Sequence, residues 1–166
     1  MKKIIVLLII GLMITGCGRA FRDTKDYDVE DLKTLIGRVY EGLEFGSDTY
    51  ERILDNEQII EWTGITDTAD IEIAVTSDAI SLTTPYSFAL LKVNNRSDIK
   101  RIKEEIQKNV NLERFGSLSA DVAYITNYGY IIILINSDQE SADLVYQELT
   151  RATNKRLGEK LIRTNE

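Results

Sequence analysis

Residues 122–136 read VAYITNYGYIIILIN, and this stretch is the strongest indication of the fold class. Two apolar segments, 122–126 and 130–135, flank Asn127-Tyr128-Gly129, which is a typical hairpin turn sequence. The second segment is apolar throughout, and on a strand its alternate side chains point to opposite faces of the sheet. Other elements must therefore cover both faces.

The same reasoning predicts a second hairpin upstream, each hairpin being followed by a helix. Strands are predicted at residues 71–75, where Ile and Val alternate with other residues, and at residues 87–93. A narrow apolar stripe predicts a helix over residues 99–110, and Ser137 with Glu140 forms a capping box that opens another helix. The order strand-strand-helix, repeated twice, predicts an α+β domain with a four-stranded, mostly antiparallel sheet.

One or two helices are predicted before the sheet. Apolar residues over 29–43 recur at spacings of three and four, and Asp28 is placed to cap this helix. A shorter helix is predicted over residues 56–62, with Asp55 as its cap and Gly64 as its stop. We expect the last two helices to cover one face of the sheet and the N-terminal helix to cover the other, with a second protomer as the alternative.

The first residues predict export and lipid attachment. Two lysines precede an apolar run over residues 4–14, which is shorter than the about 20 residues of a membrane span and typical of a secretory signal. The following ITGC, residues 14–17, resembles the lipobox of bacterial lipoproteins. That resemblance implies cleavage between Gly16 and Cys17 and attachment of a diacylglyceryl group to the Cys17 thiol.

The lipobox and the predicted helices and strands together divide the chain into four parts. These are a signal peptide (1–16), the lipidated cysteine with a short polar tether (17–27), the α+β domain (28–153) and a basic C-terminal tail (154–166). Two acyl chains anchor a protein stably where one is marginal. We therefore expect attachment to membrane lipid on the extracytoplasmic face of a cell membrane, and Gly18 after the cysteine favours a monoderm, Gram-positive host.

Composition excludes several classes of function. The 166 residues include no histidine and one cysteine, so the usual zinc sites and histidine-based catalytic triads cannot form. We expect no metal and no cofactor. The net charge of −7 argues against nucleic-acid binding. Acidic residues concentrate between Glu41 and Asp78, with Arg52 as the only base there, but lack the alternating order of a calcium loop and indicate a solvated acidic face.

Two surfaces are candidates for binding. The first is a tyrosine cluster at the hairpin, which would suit an envelope protein partner or a second copy of the chain, although tyrosines also occur as structural cross-strand pairs. The second is a basic set that could contact anionic lipid or wall polymer at about 1 kcal/mol per charge, or could merely complement a helix dipole. The tyrosines are Tyr124, Tyr128 and Tyr130; the basic residues are Arg151, Lys155, Arg156, Lys160 and Arg163.

Several of these features together resemble a known family. They are the lipobox, the polar tether, the helix end IIEWTGI at residues 59–65, the strand 88–93 with its following helix, and the turn at Tyr128-Gly129-Tyr130. The pattern resembles small lipoproteins of clostridial-type bacteria that carry the domain of unknown function family number 4358, over about residues 35–151. The resemblance implies a surface-anchored, non-enzymatic α+β module. We therefore expect a binding or assembly module of the cell envelope, with a carboxylate-dependent hydrolase of wall glycans or esters as the alternative.

Overall fold

The computed structural model describes residues 23–43, 49–80 and 84–165, so the predicted signal peptide, Gly16 and Cys17 lie outside the described residues. Within these ranges the chain forms four α-helices and six strands, with short 3-10 turns at Thr24–Asp26 and Arg96–Asp98. The helices are α1 (Val29–Tyr40), α2 (Asn56–Thr63), α3 (Ile99–Asn109) and α4 (Gln139–Ala152). The strands are β1 (Thr49–Ile53), β2 (Ile71–Ala79), β3 (Ser87–Val93), β4 (Val122–Tyr128), β5 (Ile131–Ser137) and β6 (Leu161–Thr164).

The strands form one sheet in the order β1-β2-β3-β5-β4-β6, and every neighbouring pair is antiparallel. The predicted α+β class with one antiparallel sheet is confirmed, but the predicted number of four strands is wrong. Strands β1 and β6 extend the sheet at its two edges. Both are short and mostly exposed, so they lack the apolar alternation that reveals a strand in sequence. Strand β6 also lies within the segment 154–166 that was predicted to be a tail.

Helices cover both faces of the sheet, as the apolar segment at β5 predicts. On one face, called here the α2–α3 face, Ile132 and Leu134 pack in a core with residues of α2 and α3. On the α1–α4 face, Ile131, Ile133 and Ile135 pack in a second core with residues of α1 and α4. The expectation that the last two helices share a face is therefore wrong, although the N-terminal helix does cover a face.

The topology explains why α3 and α4 lie on opposite faces. The chain crosses over β5 on its way from β3 to β4, and it crosses over β4 on its way from β5 to β6. Both crossovers step in the same direction along the sheet, but their starting strands, β3 and β5, are antiparallel. Crossovers of one hand that start in opposite directions place their helices on opposite faces.

Local signals place most helix ends as predicted. Asp28 and Asp55 cap α1 and α2 through capping boxes, and Gly64 ends α2 with a left-handed φ of 73°. The predicted cap Ser137 is wrong, because Ser137 is the last residue of β5. The side chain of Asp138 instead accepts a hydrogen bond from the Ser141 backbone and caps α4.

The N-terminal segment packs against the turn between β4 and β5. The turn residues are Gly129 and Tyr130, and Gly129 adopts a φ of 59°, as expected in a two-residue hairpin. Thr24 is buried there, and its Oγ1 accepts a hydrogen bond of 2.8 Å from the Tyr130 backbone N–H. The end of the predicted tether is thus part of the folded unit. In the described part of the chain, no helix has the length and apolar character to cross a membrane.

Candidate functional site

A row of polar residues crosses four neighbouring strands at one end of the sheet. The strand register pairs Tyr50 with Asp78, Asp78 with Ser87, and Ser87 with Asn136. Asp78, Ser87 and Asn136 are all buried. By strand alternation these side chains point to the α2–α3 face, most of which is covered by an apolar core. This end of that face is therefore unusually polar.

Asp78 is the charged centre of the row. Its Oδ2 accepts a hydrogen bond of 3.3 Å from Arg52 Nε, and its Oδ1 accepts one of 3.1 Å from Thr76 Oγ1. The nearest nitrogen of Arg114 is 4.0 Å from Oδ1, which is an ion pair but too long for a hydrogen bond. Burial raises the pKa of Asp78, and the opposing effects of Arg114, Thr76 and Arg52 are smaller. Desolvation therefore outweighs the two cations.

Arg114 reaches this row from the loop between α3 and β4. Its guanidinium carbon lies 3.3 Å from the centroid of the Trp62 ring and 4.6 Å from that of Phe115. The guanidinium of Arg52 also lies 4.5 Å from the Trp62 centroid. Two cations thus contact one indole ring, which attracts them through its quadrupole.

Arg114 is buried without its full set of hydrogen bonds. Its side chain is 7% exposed, and its Nε and Nη2 atoms have no hydrogen-bond partner. Desolvation lowers the pKa of Arg114 to about 10, although Asp78 and Glu61 act in the opposite direction. A buried donor without a partner costs about 1–3 kcal/mol, and more when it is charged. Such groups are rare in proteins, and a ligand that accepts both N–H groups would remove the cost.

A cavity of about 280 Å³ opens beside these residues, and we call it the Arg114 pocket. Its charged groups are Arg114 and Asp78, and most of the other residues that line it are aromatic or small. The side chain of one of them, Tyr86, packs in the core of the α1–α4 face and hydrogen-bonds to Tyr40 over 2.9 Å. Burial raises the pKa of Tyr86 well above the ordinary value, so its phenol stays neutral. The aromatic residues that line the pocket are Tyr50, Trp62, Tyr86 and Phe115.

Two other cavities have polar linings whose main groups already bond within the protein. In the groove of about 580 Å³ between α3 and β6, Gln107 donates to the Ile162 carbonyl and Arg163 donates to that of Lys108. In the cavity of about 290 Å³ at the start of α3, Lys103 donates to Asn127 and to the Glu159 carbonyl. The Arg114 pocket is the better candidate because its cation still lacks acceptors.

The chemistry of the Arg114 pocket suits binding more than catalysis. Among the described residues that line it, Asp78 is the only carboxyl group, so the pair of carboxylates required for glycoside hydrolysis does not meet there. Asp78 is also bonded to Arg52. Over residues 23–43, 49–80 and 84–165, no group of three His, Cys, Asp or Glu side chains is placed to hold a metal ion.

The three tyrosines predicted as a partner surface do not come together. Tyr124 and Tyr128 are 3% and 8% exposed and belong to the core of the α1–α4 face. Tyr130 is half-buried and packs against the opposite core. The Tyr124 hydroxyl donates a hydrogen bond of 2.6 Å to Asp143 of α4. Because helices cover both faces, tyrosines that were expected on a surface lie beneath them.

The five basic residues predicted to contact anionic polymers are spread around the molecule. Arg151 pairs with Glu148 on α4, and the Lys160 ammonium lies 3.9 Å from the Tyr124 ring centroid on the α1–α4 face. Arg163 lies against α3. Lys155 and Arg156 are exposed in the connection before β6. The structure therefore does not gather the five charges into one patch.

The residues of the Arg114 pocket were not identified from sequence. Trp62 is the only tryptophan and Arg52 the only base in an acidic stretch, and these two peculiarities were the available signals. Arg114 lies in a loop, where no periodicity marks it. Comparisons of the chain with protein-family models, curated proteins and solved structures found no match.

Proposed function

We propose that the protein is a lipid-anchored binding module on the extracytoplasmic face of a bacterial membrane, and that the Arg114 pocket holds its ligand. The observation that carries the binding function is the buried guanidinium of Arg114, a residue that lines the cavity and has two enclosed nitrogens without hydrogen-bond partners. The lipobox that ends at Cys17 supports the anchor, which implies a diacylglyceryl group on that residue.

The positions of the N-terminal segment and the pocket suit display of the ligand site away from a membrane. Thr24 contacts the Tyr130 end of β5, whereas the polar row crosses β5 at Asn136. Six residues separate these ends, or about 20 Å at roughly 3.4 Å per residue. The folded unit therefore begins, at Thr24, at the end of the sheet opposite the pocket.

The contacts of the charged groups in the pocket favour binding over hydrolysis. The only carboxyl group among the described pocket residues is already hydrogen-bonded to Arg52 and Thr76. The aromatic walls and the unsatisfied cation provide contact area and a fixed polar anchor, which are the usual elements of a small-molecule site.

The test is a ligand screen on the full mature lipoprotein in detergent. Small cations, neutral sugars and anions are compared for their effect on the melting temperature, with Arg114→Met as the site variant. Arg96→Gln is the matched control, because Arg96 is exposed and follows the other end of β3. We expect at least one compound class to stabilise the native protein and the control but not Arg114→Met. A screen without any Arg114-dependent response would overturn the proposed function.

A further inference from the structure

Given the binding function proposed above, we infer that the ligand of the Arg114 pocket is a small organic monocarboxylate whose remainder is an apolar ring. A small rotation of the Arg114 side chain would bring its two enclosed, unpartnered nitrogens to the cavity, where the carboxylate would accept their hydrogen bonds, and the ring would lie beside Tyr50 and Phe115.

The hydrogen-bonding geometry of Arg114 favours a carboxylate. A guanidinium presents parallel N–H donors in a rigid plane, and a carboxylate accepts two of them at once. Arg114 Nε and Nη2 are adjacent donors on one side of that plane and are both without an acceptor. A neutral hydroxyl or amide oxygen could accept from one of them but forms weaker hydrogen bonds with a guanidinium than a carboxylate does.

The charges around the pocket favour a single negative charge on the ligand. Of the two cations, Arg52 is engaged through its Nε with Asp78, which leaves Arg114 as the cation with acceptors still to find. The Asp78 carboxylate lies 4.0 Å from Arg114 and would repel a second negative charge on the ligand. A phosphate dianion is therefore a poorer match than a monocarboxylate, and a free cation would be repelled by both arginines.

The walls and the size of the pocket define the rest of the ligand. Trp62 is largely buried beneath the two guanidiniums, whereas the Tyr50 side chain at the rim is 46% exposed and can still bury area against a ligand ring. The volume of about 280 Å³ is at the lower limit of ordinary ligand pockets, which are roughly 300–1,000 Å³. A ring with one acidic group fits these limits.

Trp62 allows a direct measurement, because it is the only tryptophan and lines the pocket. The mature lipoprotein in detergent is titrated with benzoate, with its neutral analogue benzamide and with inorganic phosphate while tryptophan emission is followed. We expect a saturable response to benzoate, with benzamide and phosphate each binding at least ten-fold more weakly. Arg114→Met should weaken benzoate binding at least thirty-fold, and the control Arg96→Gln should bind as the native protein does.

A second variant separates loss of binding from loss of folding. Arg114→Lys keeps a positive charge but has no planar pair of donors, so we expect about ten-fold weaker benzoate binding in a protein with native circular dichroism. Arg114-dependent binding of benzamide or phosphate that equals or exceeds benzoate binding would overturn the monocarboxylate class but leave the proposed function standing. Failure of benzoate to bind would also overturn the class, and native binding by Arg114→Met would overturn both.

Discussion

The guanidinium carbon of Arg114 lies 3.3 Å from the centre of the Trp62 ring, while two nitrogens of the same guanidinium have no hydrogen-bond partner. The ring offers attraction but no acceptor for these N–H groups. A buried cation in this arrangement lowers the stability of the ligand-free protein. Proteins often keep a destabilising arrangement of this kind where it serves a function. The role of Arg114 can therefore be tested by measuring the free energy of unfolding as well as ligand binding.

Replacement of Arg114 by methionine should change the stability of the fold little. The change removes a desolvated charge with unpartnered donors and keeps an apolar side chain against Trp62, but it also removes a cation that lies 4.0 Å from buried Asp78. Because these effects oppose each other, we expect the free energy of unfolding to stay within about 1 kcal/mol of the native value. Arg52→Met is the comparison, because it removes a hydrogen-bond donor to buried Asp78 and should cost about 1–3 kcal/mol. Urea unfolding followed by circular dichroism measures both. A loss of more than about 2 kcal/mol in Arg114→Met would indicate a structural role.

Asp78 should destabilise the native protein as it ionises. Burial raises its pKa above the ordinary 3.8, so the folded state binds the proton more tightly than the unfolded state. The stability advantage of Asp78→Asn over the native protein should therefore grow as the pH rises from about 3.8 through the folded-state pKa, and then become constant. Urea unfolding at several pH values checks this.

Asp143→Asn provides a control whose stability relative to the native protein should change with pH in the opposite direction. Hydrogen bonds from Tyr124 and Gln139 lower the pKa of Asp143, so its ionised form favours the folded state. The native protein should lose its advantage over Asp143→Asn as the pH falls through the lowered pKa. If the stability differences of Asp78→Asn and Asp143→Asn from the native protein changed with pH in the same direction, the opposite pKa shifts of the two residues would be contradicted.

Gly129 should tolerate alanine less well than Gly116 does. Both glycines have positive φ, 59° and 72°, which costs an alanine about 1 kcal/mol. A Cβ at Gly129 would lie 2.0 Å from Thr24 Oγ1, whereas one at Gly116 would meet nothing within 4 Å. We expect losses of about 2–3 kcal/mol for Gly129→Ala and about 1 kcal/mol for Gly116→Ala in chemical denaturation. Equal losses would show that the Thr24 contact adds nothing.

Removal of residues 154–166 should destabilise the domain, because β6 forms an edge of the sheet. Four residues of β6 pair with β4, and the connection before it donates from Gly158 to the Asn127 carbonyl. At about 1 kcal/mol per hydrogen bond we expect a loss of about 2 kcal/mol or more, together with aggregation through the exposed β4 edge. Calorimetry and light scattering measure these effects. The variant Lys155→Gln removes an exposed charge from the same segment but keeps the strand, and it should melt as the native protein does.

Cys17→Ala should abolish membrane anchoring. The lipobox places the acylated thiol at this residue, so the variant should appear as an unlipidated or uncleaved precursor in cell fractionation and mass spectrometry. Ser47→Ala, which lies outside the signal and tether, serves as the control and should remain lipidated. Normal processing and full membrane retention of Cys17→Ala would rule out the anchor.

Local patterns in the chain are enough for much of the architecture. The alternation of Ile and Val in β2, the apolar segments of β3, β4 and β5 and the turn between β4 and β5 predict the central strands. The caps Asp28 and Asp55 act on backbone groups only three residues away. These features depend on neighbours along the chain. The α+β class and the burial of both sheet faces follow from them.

Long-range contacts determine the edge strands, the placement of the last two helices and the pocket. The short, exposed β1 and β6 are strands only because β2 and β4 offer them partners, and the opposite placement of α3 and α4 follows from strand order. The pocket likewise needs Trp62 from α2, Asp78 from β2 and Arg114 from a loop to meet at one end of the sheet. No periodicity encodes such a meeting, because it arises from how distant segments pack against a common sheet.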